Sequence, residues 1–317
     1  ALVEGHSAMT ATPTISVCVC TFKRPHLLRQ LLDSLAAQSY PLADCEIIVV
    51  DNDAAGSGRA AIEQAMQAHP ALPLRYAVEP TPGVSYARNR GVDMASGALL
   101  AFIDDDEIAC PNWLADLLHT LETQQADAAF GPVIPQYPAG SPAWSSKSGF
   151  FDRPRHATGL RIPDEEGRTG NALVRAARVK ARRPAAFSVQ LARTGSEDYD
   201  FFKWLAAQGG VLVWCDSALV YEEVPLDRQR LGFILERCLR TSTNYWRMAY
   251  ETQPTRWVLK KALVGLAGGS ALMLLGALVL PLGLHRTVRA WSKGLKGLGR
   301  VAALSGLRIA GYGKTDP

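Results

Sequence analysis

Apolar positions along the chain follow two periods. Runs at 15–21, 46–50, 74–78, 99–103 and 128–134 are dominated by Val, Ile, Leu, Ala and Cys, which predicts strands buried in a sheet. Between them, apolar residues recur at helical spacing. Leu27, Leu28, Leu31, Leu32 and Leu35 follow Pro25, a residue suited to a first helical turn. Further helices are predicted over 60–69, 87–95 and 112–124, the last with Trp113, Leu114, Leu117, Leu118 and Leu121 on one face. Strands alternating with helices predict a parallel α/β sheet. The stretch 135–168 is rich in Pro, Gly, Ser and Arg around Trp144, Phe150 and Phe151, and a long irregular segment of that kind is expected to carry function. Strand-like sequence returns at 169–175, a helix is expected over 201–208, and short strands at 211–214 and 218–221 close the region.

The run at 99–103 passes directly into Asp104-Asp105-Asp106-Glu107. In an open α/β sheet, the C-terminal edge of the strands is where ligands bind. Three crowded carboxylates raise one another's pKa and call for a cation. Hard oxygen ligands suit Mg²⁺ or Mn²⁺, with substrate phosphates completing the shell. The alternative is an acidic turn that caps the following helix.

The C-terminal part reads differently. Residues 231–250 form an amphipathic helical pattern, and 262–284 is free of charge for 23 residues, enough to cross a hydrocarbon core. Arg286, Arg289, Lys293, Lys296 and Arg300 then recur on one helical face, as in a helix lying on an anionic membrane. Both flanks of the apolar run are basic, so a re-entrant hairpin turning near Gly268-Gly269 and a single span are both open. From Arg256 onward there are ten Lys/Arg and one acid, net +9, whereas the preceding chain has 24 basic and 29 acidic residues, net −5. A basic tail suits nucleic acid or phospholipid, and the apolar neighbour favours phospholipid over nucleic acid. The six Cys form no CxxC pair, and the six His have no metal-ligand spacing, which fits reduced thiols in the cytoplasm. Residues 1–12 have no secretory pattern and are expected to be a disordered, non-native leader, with native sequence from about Met9.

Six motifs in order carry a family resemblance: Val17-Cys-Val-Cys-Thr-Phe-Lys-Arg-Pro, Ile47-Ile-Val-Val-Asp-Asn-Asp, Gly83-Val-Ser-Tyr-Ala-Arg-Asn-Arg-Gly, Ala101-Phe-Ile-Asp-Asp-Asp-Glu, Thr169-Gly-Asn and Gly195-Ser-Glu-Asp-Tyr-Asp. Together they resemble the inverting family 2 glycosyltransferases of the GT-A fold. Tyr221-Glu-Glu-Val-Pro-Leu-Asp-Arg228 and the tail further resemble the succinoglycan-type exopolysaccharide glucosyltransferases. The resemblance implies a Rossmann-like, mixed but mainly parallel sheet flanked by helices over 13–228, then a helical membrane-attachment region over 229–317. It implies a UDP-sugar donor, Mg²⁺ or Mn²⁺, and a polyprenyl-diphosphate-linked glycan acceptor on the cytoplasmic side of a bacterial-type inner membrane.

Site roles follow from the same resemblance. Asp51 would accept from a uracil imide and Asp53 would hold the ribose, with Thr21, Arg24, Arg88 and Asp105 completing the donor site. Asp104 would meet ribose or metal, and Asp106 would ligate the metal. Asp198 would be the base that takes the acceptor proton, with Asp200 a competing candidate. Arg88 could instead be a solvated charge, and Asp198 a helix cap. Glu197, Trp144, Glu222 and Arg228 are expected toward acceptor or diphosphate. Many relatives have a late His; no His lies between His156 and His285, so Glu222, Glu223 or Arg228 would fill that place. Gln253-Pro-Thr-Arg-Trp257 matches a pattern of processive synthases, but with one apolar segment Arg256-Trp257 reads as an interfacial anchor. Transfer to polyprenyl phosphate, and a non-catalytic nucleotide-sugar-binding scaffold, are the rival readings.

Overall fold

A computed structural model describes residues 3–4, 14–192, 194–251 and 253–306. It falls into two compact units, 1–134 with 153–222, and 135–152 with 223–317. In chain order the strands are β1 (Val3–Glu4), β2 (Ile15–Thr21), β3 (Cys45–Asp51), β4 (Leu74–Val78), β5 (Leu99–Asp104), β6 (Glu107–Ala109), β7 (Ala128–Phe130), β8 (Val133–Gln136), β9 (Asn171–Arg175), β10 (Leu212–Trp214) and β11 (Val220–Glu223). The helices are α1 (Pro25–Ala36), α2 (Arg59–Ala68), α3 (Val84–Met94), α4 (Trp113–Thr123), α5 (Ala143–Ser148), α6 (Ala176–Ala181), α7 (Glu197–Ala207), α8 (Leu231–Tyr250), α9 (Thr255–Leu278) and α10 (Leu284–Ala302).

The first unit is built on a mixed sheet of order β1-β4-β3-β2-β5-β9-β7-β10, and β6, β11 and β8 form a second, smaller sheet. The centre of the larger sheet, β4-β3-β2-β5, is parallel, as the alternation of strands and helices predicts. β9 departs from that pattern and runs antiparallel to both β5 and β7. It enters after the long irregular segment rather than after a crossover helix, so no right-handed βαβ connection dictates its direction. Both faces are covered, which is why β3 is buried at every position. Val17, Ile47 and Val49 pack with Leu28, Leu31, Leu32, Trp113 and Leu117 on one face. Ile48, Val50 and Phe102 pack with Phe130, Phe187, Phe201 and Phe202 on the other. All six cysteines are free thiols.

Three local departures matter for the site. The expected strand over 128–134 breaks at Gly131-Pro132, where a side chain on Gly131 would collide with the Ala218 carbonyl. α7 begins at Glu197 rather than Phe201, so the whole acidic motif forms its first turn. Val3 and Glu4 pair with Tyr76 and Arg75 as an edge strand. The rest of the expected leader lies outside the described residues, as do Arg308, Lys314 and Asp316.

In the second unit the tail folds into three helices, and the stretch 135–152 groups with it. The charge-free run does not turn at Gly268-Gly269. α9 continues through both glycines, and the chain reverses at 279–283, where Gly283 adopts φ +118°. The reason is packing: Gly269 lies against Gly294 and Leu298 of α10, so there glycine allows a close helix approach instead of a break. The apolar side of α10 is not open to lipid either. Val288 packs with Ile234 and Cys238 of α8, and Trp291 donates its Nε1–H to the Met273 carbonyl of α9 at 2.9 Å.

Candidate active site

Register brings the polar ends of three strands together. Thr21 of β2 lies opposite Asp51 of β3, and Cys20 opposite Asp104 of β5. The loops beyond them are clamped by charge. Thr21 donates its hydroxyl to Asp105 Oδ2 at 2.7 Å. Arg24 Nη1 donates to Asp106 Oδ2 at 2.5 Å and lies 3.4 Å from Asp105 Oδ1. Asp105 is buried, and Asp104, with 44 % of its side chain accessible, is open. Glu107 turns back to accept the Asp104 backbone N–H at 2.9 Å. Burial first, and the Asp104 charge second, push the Glu107 carboxyl well above its ordinary range.

Burial likewise pushes Asp105 up to about 7, against the pull of Arg24; Asp106 and Asp104 add to the rise and the Thr21 hydroxyl opposes it. A carboxyl raised in the folded state binds its proton more tightly there than in the unfolded chain. Its contribution is therefore full below about pH 4 and is lost as pH rises toward about 7. In metal-free buffer, wild type is expected to lose up to about 4 kcal/mol relative to Asp105→Asn across that interval. Denaturant unfolding of both proteins at pH 5 and pH 8 checks it; a pH-independent difference contradicts the assignment.

The second acidic group comes from α7. Gly195 and Ser196 take left-handed φ values of +76° and +74°, which turn the chain into the helix. Ser196 is the N-cap position, so Asp198 is not the cap. Arg88 of α3 connects this helix to the strand edge. Its Nη1 donates to Glu197 Oε1, and its Nη2 lies 3.4 Å from Asp104 Oδ1. The guanidinium stacks near the Phe187 ring and the residue is only 9 % exposed, so it is not a solvated surface charge. Glu197 Oε2 is buried without a hydrogen-bond partner, and burial pushes this carboxyl up to about 7 although Arg88 pulls it down. Asp198 is half-buried and accepts the Tyr199 N–H at 2.7 Å. Asp200, the competing base, is held by Arg182 at 2.7 Å.

The turn after β3 is more heavily used than its residue types suggest. Asp51 is fully buried, and its oxygens accept the Gly58 N–H at 2.7 Å, the Tyr76 hydroxyl at 2.9 Å and the Asp53 N–H at 3.0 Å. Such a carboxylate shapes the loop and has no open face for a base imide. Asp53 is half-buried and accepts the Ala55 N–H at 3.2 Å. Asn52 bonds the carbonyls of Glu79 and Thr81 at 2.9 and 2.8 Å and accepts the Gly83 N–H at 2.8 Å. Gly83 has φ +135°, and an added Cβ would stand 2.6 Å from Ala192 Cβ, which explains the glycine just before α3 and hence the placement of Arg88.

The Thr169-Gly-Asn motif also has a physical reason. Asn171 accepts from Trp113 Nε1 at 2.8 Å and donates to the Ala218 and Pro132 carbonyls at 2.7 and 3.0 Å. Gly170 leaves room beside Glu107 Oε1, where a Cβ would come within 2.8 Å. Arg153, which motif reading passes over, binds Glu222 at 3.0 Å and its charge acts on Asp104 and Glu107. Glu222 itself pairs with Glu107 across the β6–β11 ladder. Trp144 and Arg228 belong to the second unit. There Trp144 packs against the Ile234, Cys238 and Val288 cluster, and the Arg228 N–H closes a turn onto Pro225. Among the described residues, no three His, Cys, Asp or Glu side chains form a ready-made metal cage.

An open α/β sheet with an acidic strand edge facing an acidic helix start is the arrangement of the GT-A fold. The protein model for glycosyl transferase family 2 matches residues 16–178, and the chain belongs to that family. It is 37 % identical over 262 residues to the succinoglycan biosynthesis protein ExoM of Rhizobium meliloti, covering 80 % of this chain and 82 % of that protein. A Campylobacter jejuni GalNAc(5)-diNAcBac-PP-undecaprenol β-1,3-glucosyltransferase is 28 % identical over 122 residues, 38 % of this chain and 37 % of its own. Among solved structures, the mannosyltransferase PcManGT of Pyrobaculum calidifontis, in complex with GDP-Man and Mn²⁺, superimposes with TM-score 0.64 at 18 % identity, covering 93 % of this chain and 88 % of that one. Staphylococcus aureus TarS 1-349 in complex with UDP gives 0.53 at 19 %, covering 92 % and 91 %.

Proposed function

We propose that this glycosyltransferase moves a hexose from a UDP-sugar to a polyprenyl-diphosphate-linked glycan, with inversion, in exopolysaccharide or cell-surface glycan synthesis. The observation that carries the reading is the Arg88 clasp, which joins Asp104 at the donor edge to Glu197 beside Asp198. A donor and a base are thereby set against each other across one buried cation. The ExoM likeness supports the pathway class, the UDP-bound TarS the nucleotide, and the undecaprenol-linked substrate of the Campylobacter relative the acceptor class.

A divalent ion fits the donor edge. Asp104 offers an open carboxylate and Asp106 a second hard oxygen group, and Mg²⁺ or Mn²⁺ needs only one or two carboxylates beside a diphosphate. When bound, the ion supplies positive charge against the leaving nucleoside diphosphate. Asp198 takes the proton from the acceptor hydroxyl as that oxygen attacks the anomeric carbon opposite the leaving group. Thr21 and Arg24 fix the Asp105-Asp106 turn that faces the nucleotide. Asp51 holds the base loop in shape, and Asp53 is the carboxylate on that loop for the ribose. Arg153, paired with Glu222, adds a cation at the same edge. The tail, with one helix long and apolar enough to cross a membrane among the described residues, supports membrane attachment; the reading puts the catalytic unit on the cytoplasmic side of a bacterial-type inner membrane.

Incubation with labelled UDP-hexoses and membrane extract tests the function. Label passing into a solvent-extractable diphosphate-linked product supports it. Label accumulating instead on added polyprenyl phosphate, without any oligosaccharide, replaces this acceptor with the simpler one.

A further inference from the structure

Four small residues of α9 form one buried stripe. Ala262, Gly265, Gly269 and Gly276 are its buried positions, and the three glycines meet Gly297, Gly294 and Trp291 of the antiparallel α10. Beyond its basic first turns, the outer face of α9 is largely apolar and bare, with Leu263 66 %, Leu274 68 % and Leu278 77 % exposed. α10 is covered on its other side. Ser242 of α8 donates to the Lys296 carbonyl at 2.6 Å, and Arg289 donates to the Lys147 and Ser148 carbonyls at the end of α5. The layers of this unit therefore run α9, α10, α8, with α9 outermost.

That order decides how a bilayer can meet the tail. Arg286, Arg289, Lys293 and Lys296 are all exposed along α10. If α9 stood across the bilayer, α10 packed along it would carry these cations into hydrocarbon, where each is strongly disfavoured. If α9 lies flat, its leucines enter the acyl region while long Lys and Arg side chains reach phosphate headgroups. The ends of the hairpin match this placement. Arg256, Lys260 and Lys261 surround the start of α9, where Trp246 and Trp257 stack with centroids 6.1 Å apart and Lys261 Nζ lies 5.2 Å from the Trp257 ring. Trp beside Lys or Arg is the composition of a membrane–water interface.

We propose that α9 and α10 form a one-leaflet platform: α9 lies in the plane of an anionic phospholipid surface, its leucine face among the acyl chains, and does not cross the bilayer. The proposal rests on the membrane attachment put forward above and specifies its geometry.

Leu259, Leu266 and Leu274 are exposed positions strung along α9, and the outer two lie about 22 Å apart on the axis at ~1.5 Å per residue. Each is replaced by Cys in the full chain and labelled with a nitroxide, the unsubstituted chain serving as blank. Insertion depth is read on phosphatidylglycerol-containing vesicles, after matched melting curves have checked folding. The expected result is the same shallow depth at all three positions. A depth that changes steadily along the helix means α9 spans, which overturns the platform and leaves attachment standing. A chain that does not float with vesicles, or whose α9 face is closed by a second copy in sedimentation, overturns attachment as well.

Discussion

Asp198→Asn is expected to lower kcat by about 10²–10⁴-fold, the range over which general bases act, and to leave UDP affinity unchanged. The change is nearly isosteric, and it removes a carboxylate whose hydrogen bond is to its own helix, at the Tyr199 N–H. Asn can still accept that bond, so the first turn of α7 stays formed. Asp200→Asn tests specificity at the same helix start. Because Asp200 is tied to Arg182, its loss should reduce stability rather than the chemical step. Rapid-quench measurement of a single turnover separates the two. Equal chemical rates in wild type and Asp198→Asn would remove Asp198 from the reaction.

Arg88→Met is expected to be the most destabilising single change at the site, by about 3 kcal/mol or more. It leaves Glu197, 4 % exposed, without the cation that opposes its burial. The carboxyl would then bind a proton at neutral pH, so the defect should be smaller at pH 5 than at pH 8. The double variant Arg88→Met, Glu197→Gln removes both charges and should recover much of the stability, since the cost lies in the unpaired charge. Activity should not return with it, because the link from Asp104 to α7 is still broken. Arg88→Lys keeps one charge but loses the fork that reaches two carboxylates. Chemical denaturation and turnover of wild type, Arg88→Met, Glu197→Gln and the double variant, compared as a cycle, test this. Additive stabilities would show that Arg88 and Glu197 do not act as a pair.

Much of the catalytic unit is legible from residue patterns, for definite reasons. β3 and β5 are buried on both faces, so they appear as uninterrupted apolar runs, and α1 shows its buried leucines at helical spacing. The acids at the end of β5 stand out because polar residues follow such a run only where the strand reaches an edge. Other features depend on partners distant in sequence. Nothing local to Arg88 marks it as buried; its partner Glu197 lies 109 positions away. Asp51 looks available until Gly58 and Tyr76 are seen to occupy it. Arg153 sits in an irregular stretch and meets Glu222 only through the fold. In the tail, Gly268-Gly269 invites reading as a turn, but Gly269 belongs with Gly265 and Gly276. Their spacing puts them on one face, and once α10 docks there the same residues become the contact.

We propose that the acids after β5 form a metal-assisted nucleotide site. Titration of UDP into the full chain, with Mn²⁺ and then with EDTA, tests it most directly, using wild type and Asp106→Asn. Saturable binding is expected with Mn²⁺, disappearing with EDTA and weakening at least about 10–100-fold in Asp106→Asn, as for loss of a group at a metal site. UDP binding of equal strength with and without metal, or none under either condition, would contradict it.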